Sequence, residues 1–179
     1  MPSDNLAHPE EAEKQPSRRT QGDPATAHDL SLDWHHWSDL STGQLYELLQ
    51  FRQAIFVVEQ ASPYPDLDGR DRDARHLVLR RDSVLIGCLR LIAPSDEEHR
   101  PLVRIGRVAV ALGERGNGFA RLMMDEALRR AGELYPDADI EIGAQTYLES
   151  FYRSFGFASV SSPYDDFGVP HIDLVRRGT

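Results

Sequence analysis

The stretch RIGRVAVALGERGNGFAR, Arg104 to Arg121, decides how the rest of the chain is read. Its first part, Ile105 to Leu112, is an apolar run suited to a buried central strand. The run breaks at Gly113, passes through Arg115-Gly116-Asn117-Gly118-Phe119-Ala120 and opens a long amphipathic segment. A strand, a glycine-rich turn and a helix start, in that order, form a phosphate cradle. The glycines let successive backbone N–H groups face outward together, and the helix N-terminus adds about half a unit of positive charge. Two nucleotide motifs do not fit. The turn has no Lys-Ser/Thr pair, so it is not a P-loop, and it lacks the first glycine and following acidic residue of a dinucleotide fingerprint.

Downstream, Ala120, Met123, Met124, Ala127, Leu128, Ala131 and Leu134 recur on one side of a helix, with charged residues opposite, until Pro136 ends it. Ile140 to Ala144 reads as a short strand, and Leu148 to Phe155 as a short helix closed by Gly156. Phe157–Val160 and His171–Arg176 read as the last two strands, paired around a turn-rich 162–168. Upstream, His76–Arg81 and Val84–Ala93 read as strands joined by a hairpin turn at Arg81-Asp82-Ser83. Before them, Pro63 and Pro65 force an extended loop carrying Asp66, Asp68, Asp71 and Asp73. Leu45, Leu48, Leu49, Arg52 and Phe56 recur at helical spacing, with Ser41 or Thr42 able to cap the start. Leu32–Trp37 reads as a first strand. Residues 1–28 are polar and poor in large apolar groups, so composition predicts a disordered tail and a folded domain over 29–179.

At 179 residues the chain suits one domain with a proper core. A net charge of −9 argues against nucleic-acid binding and mildly favours a cationic substrate. Cys88 is the only cysteine, which leaves no internal disulfide and no thiolate metal cluster, and its apolar run VLIGCLRLI marks it as a packing residue. His35-His36 has no further ligand at a useful spacing, and the Asp-rich loop lacks the order and terminal Glu of an EF-hand, so no metal is expected. No apolar run approaches the ~20 residues that span a bilayer, and no signal-peptide core is found; the expectation is a cytoplasmic protein that does not engage membranes. A homodimer is left open.

The residues at 115–120 match Arg/Gln-x-x-Gly-x-Gly/Ala, and they resemble the acyl-CoA pyrophosphate loop of the GCN5-related N-acetyltransferase (GNAT) superfamily. Gln145, Leu148, Phe151-Tyr152 and Gly156-Phe157 resemble that family's second motif, Asn-x-x-Ala-x-x-Phe-Tyr-x-x-x-Gly-Phe, with Gln for Asn and Leu for Ala. Leu45-Tyr46 through Arg52, Phe56-Val57-Val58-Glu59-Gln60, Tyr64, Asp68-Gly69 and His76 resemble the ElaA-like subgroup. The resemblance covers about residues 32–176. It implies an α+β domain with a mixed, mostly antiparallel central sheet, helices on both faces and strands splayed at the acyl-CoA site. Residues 29–179 would then be an acyl-CoA N-acyltransferase domain, with acetyl-CoA as acyl-donor cosubstrate, coenzyme A as product and a small-molecule or peptide amine as acceptor.

On that resemblance Val108, Ala109 and Val110 pair with pantetheine. Arg115, Gly116, Asn117, Gly118, Phe119, Ala120 and Arg121 hold the diphosphate, and Gln145, Leu148, Phe151 and Tyr152 complete the coenzyme site. A backbone N–H near Ala109 or Val110 would meet the thioester oxyanion, an effect of about 3–4 kcal/mol when preorganised. Tyr152 corresponds to the general acid for the leaving thiolate, with Tyr147 in reserve; the same ring also fits a packing role at the helix–sheet seam. For the base, Glu59 comes first because it ends the helix beside the acceptor cleft, although a helix-end Glu equally pairs with an Arg. His76 is a second candidate, with His171 of the same standing, and both fit structural roles. Arg52 is placed to hold Glu59 or an Asp of the 66–73 loop. Specificity is expected from the 59–76 and 162–170 loops. Two other readings stay open: a non-catalytic acyl-CoA-binding or sensing module, and, from Arg52-x-x-x-Phe56 with its acidic loop, an acyl-homoserine-lactone-synthase-like acyltransferase.

Overall fold

The computed structural model describes residues 29–95 and 100–178; the expected tail at 1–28 lies outside the described residues. The chain enters as β1 (Leu30–His36). Ser41 then starts α1 (Thr42–Arg52): its Oγ accepts from the Gln44 amide at 3.3 Å, and the Gln44 side chain accepts from the Ser41 amide at 3.0 Å. The helix continues not as α but as a π-helical segment, Gln53–Glu59. Such segments are rare and tend to occur at functional sites, and this one ends at Glu59. After the proline loop come β2 (Ala74–Arg81) and β3 (Val84–Ile92), joined through Asp82 and Ser83, both at positive φ (49° and 69°). Two left-handed residues in a two-residue loop match the right-handed twist of the flanking strands.

β4 (Leu102–Val110), α2 (Phe119–Leu134) and β5 (Asp139–Gln145) form a strand–helix–strand unit, and β4 and β5 are the parallel pair of the sheet. α3 (Glu149–Arg153) follows, then β6 (Ala158–Ser159), β7 (Tyr164–Asp166) and β8 (Val169–Arg176). The eight strands run β1-β2-β3-β4-β5-β8-β6, with β7 also on β8. β7 replaces part of the expected turn at 162–168, because Phe167 and Gly168, at φ 50° and 86°, make a tight hairpin turn of their own.

The sheet is covered on both faces, each by its own apolar cluster. α2 buries Met123, Met124, Ala127 and Ala131 against Leu77, Leu89, Leu91 and Ile105 on one side. α1 and its π-helical extension bury Leu48 and Ile55 against Cys88 and Ala109 on the other. Cys88 and Leu89 point to opposite faces, as successive strand residues must. Gly87 is needed where α2 crosses β3: an added Cβ would lie 3.0 Å from Met123 Sδ and 3.2 Å from the Ala109 carbonyl oxygen.

Two irregularities in β4 shape the site. Cys88 pairs with Ala109 and Arg90 with Gly106, so Leu89 faces both Arg107 and Val108, a bulge with Arg107 at φ 55°. On its other edge β4 pairs with β5 only through Leu102↔Asp139, Val103↔Ile140 and Arg104↔Glu141. Both strands continue beyond that register without pairing, so a gap opens between them.

Candidate functional site

The gap between β4 and β5 widens into a cleft of about 630 Å³, bounded by Gly106–Val110 on one strand and Gly143–Gln145 on the other. The Ala111 amide bonds to the Ile86 carbonyl at 2.8 Å, on the β3 side. By the two-residue alternation of a strand, the polar groups of Ala109 face β3 as well, and those of Val108 and Val110 face the gap. The exposed edge is therefore Val108 and Val110, with Ala109 turned away from it. A second hollow of about 290 Å³ adjoins the cleft at the glycine turn, sharing Val110, Arg115, Ala120 and Phe151 with it.

At that turn Gly116 and Gly118 both take left-handed φ, 83° and 82°, which L side chains adopt only with strain. Gly118 is the N-cap of α2 and brings no side-chain cap; the first intrahelical bond is Leu122 N–H to the Gly118 carbonyl at 3.0 Å. The amides of Phe119, Ala120 and Arg121 thus sit in the first helical turn, where no intrahelical acceptor reaches them. The charged side chains are engaged elsewhere. Arg115 donates from Nε to the Val110 carbonyl at 3.0 Å and from Nη1 and Nη2 to the two Glu59 oxygens at 2.8 and 2.9 Å. Asn117 donates to the Glu114 carbonyl at 3.2 Å. Arg121 donates to Ser154 Oγ at 2.9 Å and lies 4.7 Å from the Phe155 ring centre. What the turn leaves free is main chain.

Tyr152 lines the inner wall of the cleft at 4 % exposure, edge-on to Phe151 at 5.1 Å and to Phe157 at 6.2 Å. Burial pushes its phenol well above the ordinary tyrosine value. Leu148 and Phe151 flank it, half-buried, and Tyr147 stands exposed at the rim. Gln145 donates to the Gln60 side chain at 3.0 Å, a bridge from β5 to the end of the π-helical segment.

Glu59 lines the cleft, but both its oxygens are taken by Arg115, so it lies at the turn end. His76 does not join the cleft. It is 2 % exposed, its Nε2 is 2.9 Å from the Asp71 carbonyl oxygen, and burial lowers its pKa. The reason is the loop above it: Arg70–Asp73 forms a short 3-10 turn that closes over the start of β2.

That loop is pinned by a buried charge network. Arg52, 1 % exposed, reaches Asp66 at 3.0 Å and Asp71 at 2.7 Å, not Glu59. Arg90 reaches Asp71 at 3.0 Å and Asp68 at 2.7 Å, and the bulged Arg107 reaches Asp66 at 2.6 Å. Burial pushes the Asp71 carboxyl up, but its hydrogen bond and charge pairing with Arg52 and the charge of Arg90 bring it below the usual range. The network fixes Tyr64, whose hydroxyl donates to Asp66 at 3.2 Å and whose ring lies 5.2 Å from the Arg107 guanidinium; burial raises this phenol to about 12. Tyr64 meets Phe167 at 5.7 Å, a contact between the loop and the β7–β8 hairpin at the outer end of the cleft. On that hairpin Tyr164 donates to Asp173 at 2.8 Å and stacks on His171. Arg107, Tyr164 and Asp166 enter the cleft wall without having been singled out in the sequence; Arg107 within an otherwise apolar strand was the signal available.

The sequence profile described as the acetyltransferase (GNAT) domain matches residues 46–177. Protein ElaA of Escherichia coli (strain K12) is 42% identical over 150 residues, which is 82% of this chain and 97% of ElaA. The crystal structure of Escherichia coli ElaA superposes with a TM-score of 0.77 at 39% identity, covering 83% of this chain and 100% of that one. The crystal structure of an acyl-CoA N-acyltransferase from Pseudomonas aeruginosa superposes with a TM-score of 0.76 at 37% identity, covering 83% and 99%.

Proposed function

This chain belongs to the GNAT acetyltransferase family, in its ElaA-like branch, and on that premise we propose that it moves acetyl from acetyl-CoA to an amine by direct attack. The observation that carries the reading is a pair of adjoining hollows that share Val110, Arg115, Ala120 and Phe151. One lies at the free amides of Phe119, Ala120 and Arg121, and the other holds the edge of Val108 and Val110, Tyr152 and the outer loops.

The turn amides and the α2 dipole hold the diphosphate, with the left-handed Gly116 and Gly118 allowing close approach. The N–H and C=O of Val108 and the N–H of Val110 face the gap, where the amides of the pantetheine arm satisfy them as an added strand would; the Val110 carbonyl already accepts from Arg115 Nε. The same edge supplies an N–H to the thioester oxygen as negative charge develops on it. Tyr152 gives its phenolic proton to the departing thiolate. Burial raises both a phenol and a thiol, so the transfer depends on the difference between them, which for ordinary values of about 10 and 8.5 is small. The acceptor enters from the outer end, between the loop held by Arg52 and the β7–β8 hairpin.

The test is release of free CoA thiol from acetyl-CoA across a panel of small amines, polyamines and peptide N-termini. Turnover with at least one amine is expected. Tight acetyl-CoA binding with no thiol release on any of them would instead make the protein an acyl-CoA-sensing module.

A further inference from the structure

At the outer end of the cleft, His171 opens into the space where the acceptor amine would arrive. It stands on β8 opposite Gln145 of β5 and opposite Tyr164 of β7. Residues paired across antiparallel strands share a face of the sheet, so His171 and Tyr164 stand with Gln145 on the cleft side, and all three line it. Its Nδ1 is 2.9 Å from the Val169 carbonyl oxygen. A carbonyl can only accept, so Nδ1 carries the proton and the neutral ring keeps a lone pair on Nε2. Nε2 has no hydrogen-bond partner among the described residues. The ring is steadied by Tyr164, stacked at 6.2 Å and 30°, whose own hydroxyl is anchored on Asp173. Asp166 Oδ2 lies 3.9 Å from Nδ1, so a ring that gains a proton finds a carboxylate beside it.

Of the other bases near the cleft, Asp166 stands beside the imidazole itself and the rest are committed. Glu59 is held through both oxygens by Arg115, and Asp68 by Arg90. His76 has its Nε2 against a main-chain carbonyl under the 66–73 loop.

We propose that His171 is the general base of the reaction: Nε2 takes a proton from the acceptor's ammonium group, and the freed amine attacks the thioester. This assignment rests on the N-acetyltransferase reading. In the balanced step, the ammonium proton goes to Nε2 and the nitrogen lone pair forms the C–N bond. The C–S bond then breaks, and Tyr152 protonates the thiolate. The proton shed by the new amide nitrogen restores Tyr152, and the imidazolium releases its proton to solvent. The Val169 carbonyl acts as a positioning group that fixes the tautomer.

A base matters only where there is a proton to remove. Thiol release from acetyl-CoA is therefore compared for the wild-type protein and His171→Gln with putrescine and glycinamide, which carry ammonium groups, and with 2,2,2-trifluoroethylamine, which is largely neutral at pH 7. His171→Gln is expected to lose about 100-fold or more in kcat/KM with the first two and less than about 10-fold with the third, while acetyl-CoA affinity by calorimetry stays within about twofold. An equal loss across the series, or no loss, overturns the assignment while leaving the N-acetyltransferase reading standing. A wild-type protein that binds acetyl-CoA and turns over none of the three overturns the assignment together with the reading. If the variant does not fold, nitrogen-15 spectra of the wild-type imidazole decide: a neutral ring protonated at Nδ1 is expected, and one protonated at Nε2 overturns the proposal.

Discussion

Tyr152 and the Glu59–Arg115 pair carry the predictions that belong to single residues. Tyr152→Phe removes one oxygen from a ring that is otherwise held edge-on by Phe151 and Phe157, so the packing survives. Turnover should fall by about 100-fold or more with acetyl-CoA affinity nearly unchanged, as measured by thiol release and calorimetry. Equal turnover would remove Tyr152 from the chemistry. Arg115 sits with its Nη atoms on the Glu59 carboxylate and its Nε on Val110, so under the proposed function a coenzyme diphosphate in the turn would compete with Glu59 for it. Glu59→Gln should therefore free Arg115 and tighten acetyl-CoA binding severalfold, whereas Arg115→Ala should weaken it by about tenfold, or ~1.4 kcal/mol. A Glu59→Gln variant with unchanged affinity and collapsed turnover would return Glu59 to the role of base.

Among elements, the glycine turn and the 61–73 loop are the two whose geometry the site depends on. Gly118→Val places a β-branched side chain at φ 82°, where a left-handed residue costs roughly 1–2 kcal/mol, and stiffens the turn proposed to face the diphosphate. Both the melting temperature and acetyl-CoA affinity should drop; a loss of stability alone would mean that the turn does not hold the coenzyme. The loop depends on Arg52, and Arg52→Ala would leave Asp66 and Asp71 buried without their partner. That should cost about 3–5 kcal/mol in urea unfolding, against well under 1 kcal/mol for an exposed pair such as Arg153–Glu149. These elements differ in how much the sequence disclosed. The α2 helix was legible because its apolar spacing and Pro136 are local signals, and the turn because glycine spacing is one too. The π-helical segment, the Arg107 bulge and β7 were not: Arg107 is held by Asp66, far away in sequence, and β7 depends on a hairpin turn in which the non-glycine Phe167 takes a left-handed φ.

Over the whole molecule, acidic groups held by arginines set the response to acid. In Asp71 burial pushes upward and Arg52 outweighs it; Asp139 is lowered by the Gly178 amide and by Arg177, and Glu47 by Arg80. Carboxyls depressed in the folded state add stability that is complete above their unfolded value of about 4 and is lost as pH falls through the folded values. Stability from urea melts should decline gently as pH falls from about 7, because His76 takes a proton more readily in the unfolded chain, and should fall steeply below about 4; stability that rises on acidification would contradict the network. At this scale the sheet with helices on both faces was legible from element order and from the two motifs together. The depth of each candidate was not: a histidine at a strand start has the same local pattern whether it ends under a loop, as His76 does, or on a cleft wall, as His171 does. The proposed function requires main-chain amides at the start of α2 to hold a coenzyme diphosphate and the β4 edge that faces the gap to aim its thioester. Its most direct measurement is the electron density of crystals grown with acetyl-CoA. Density is expected for the diphosphate on the amides of Phe119, Ala120 and Arg121 and for the pantetheine arm alongside Val108 and Val110. Coenzyme density at another surface, with the Glu59–Arg115 and Gln60–Gln145 bridges intact across the cleft, would contradict it.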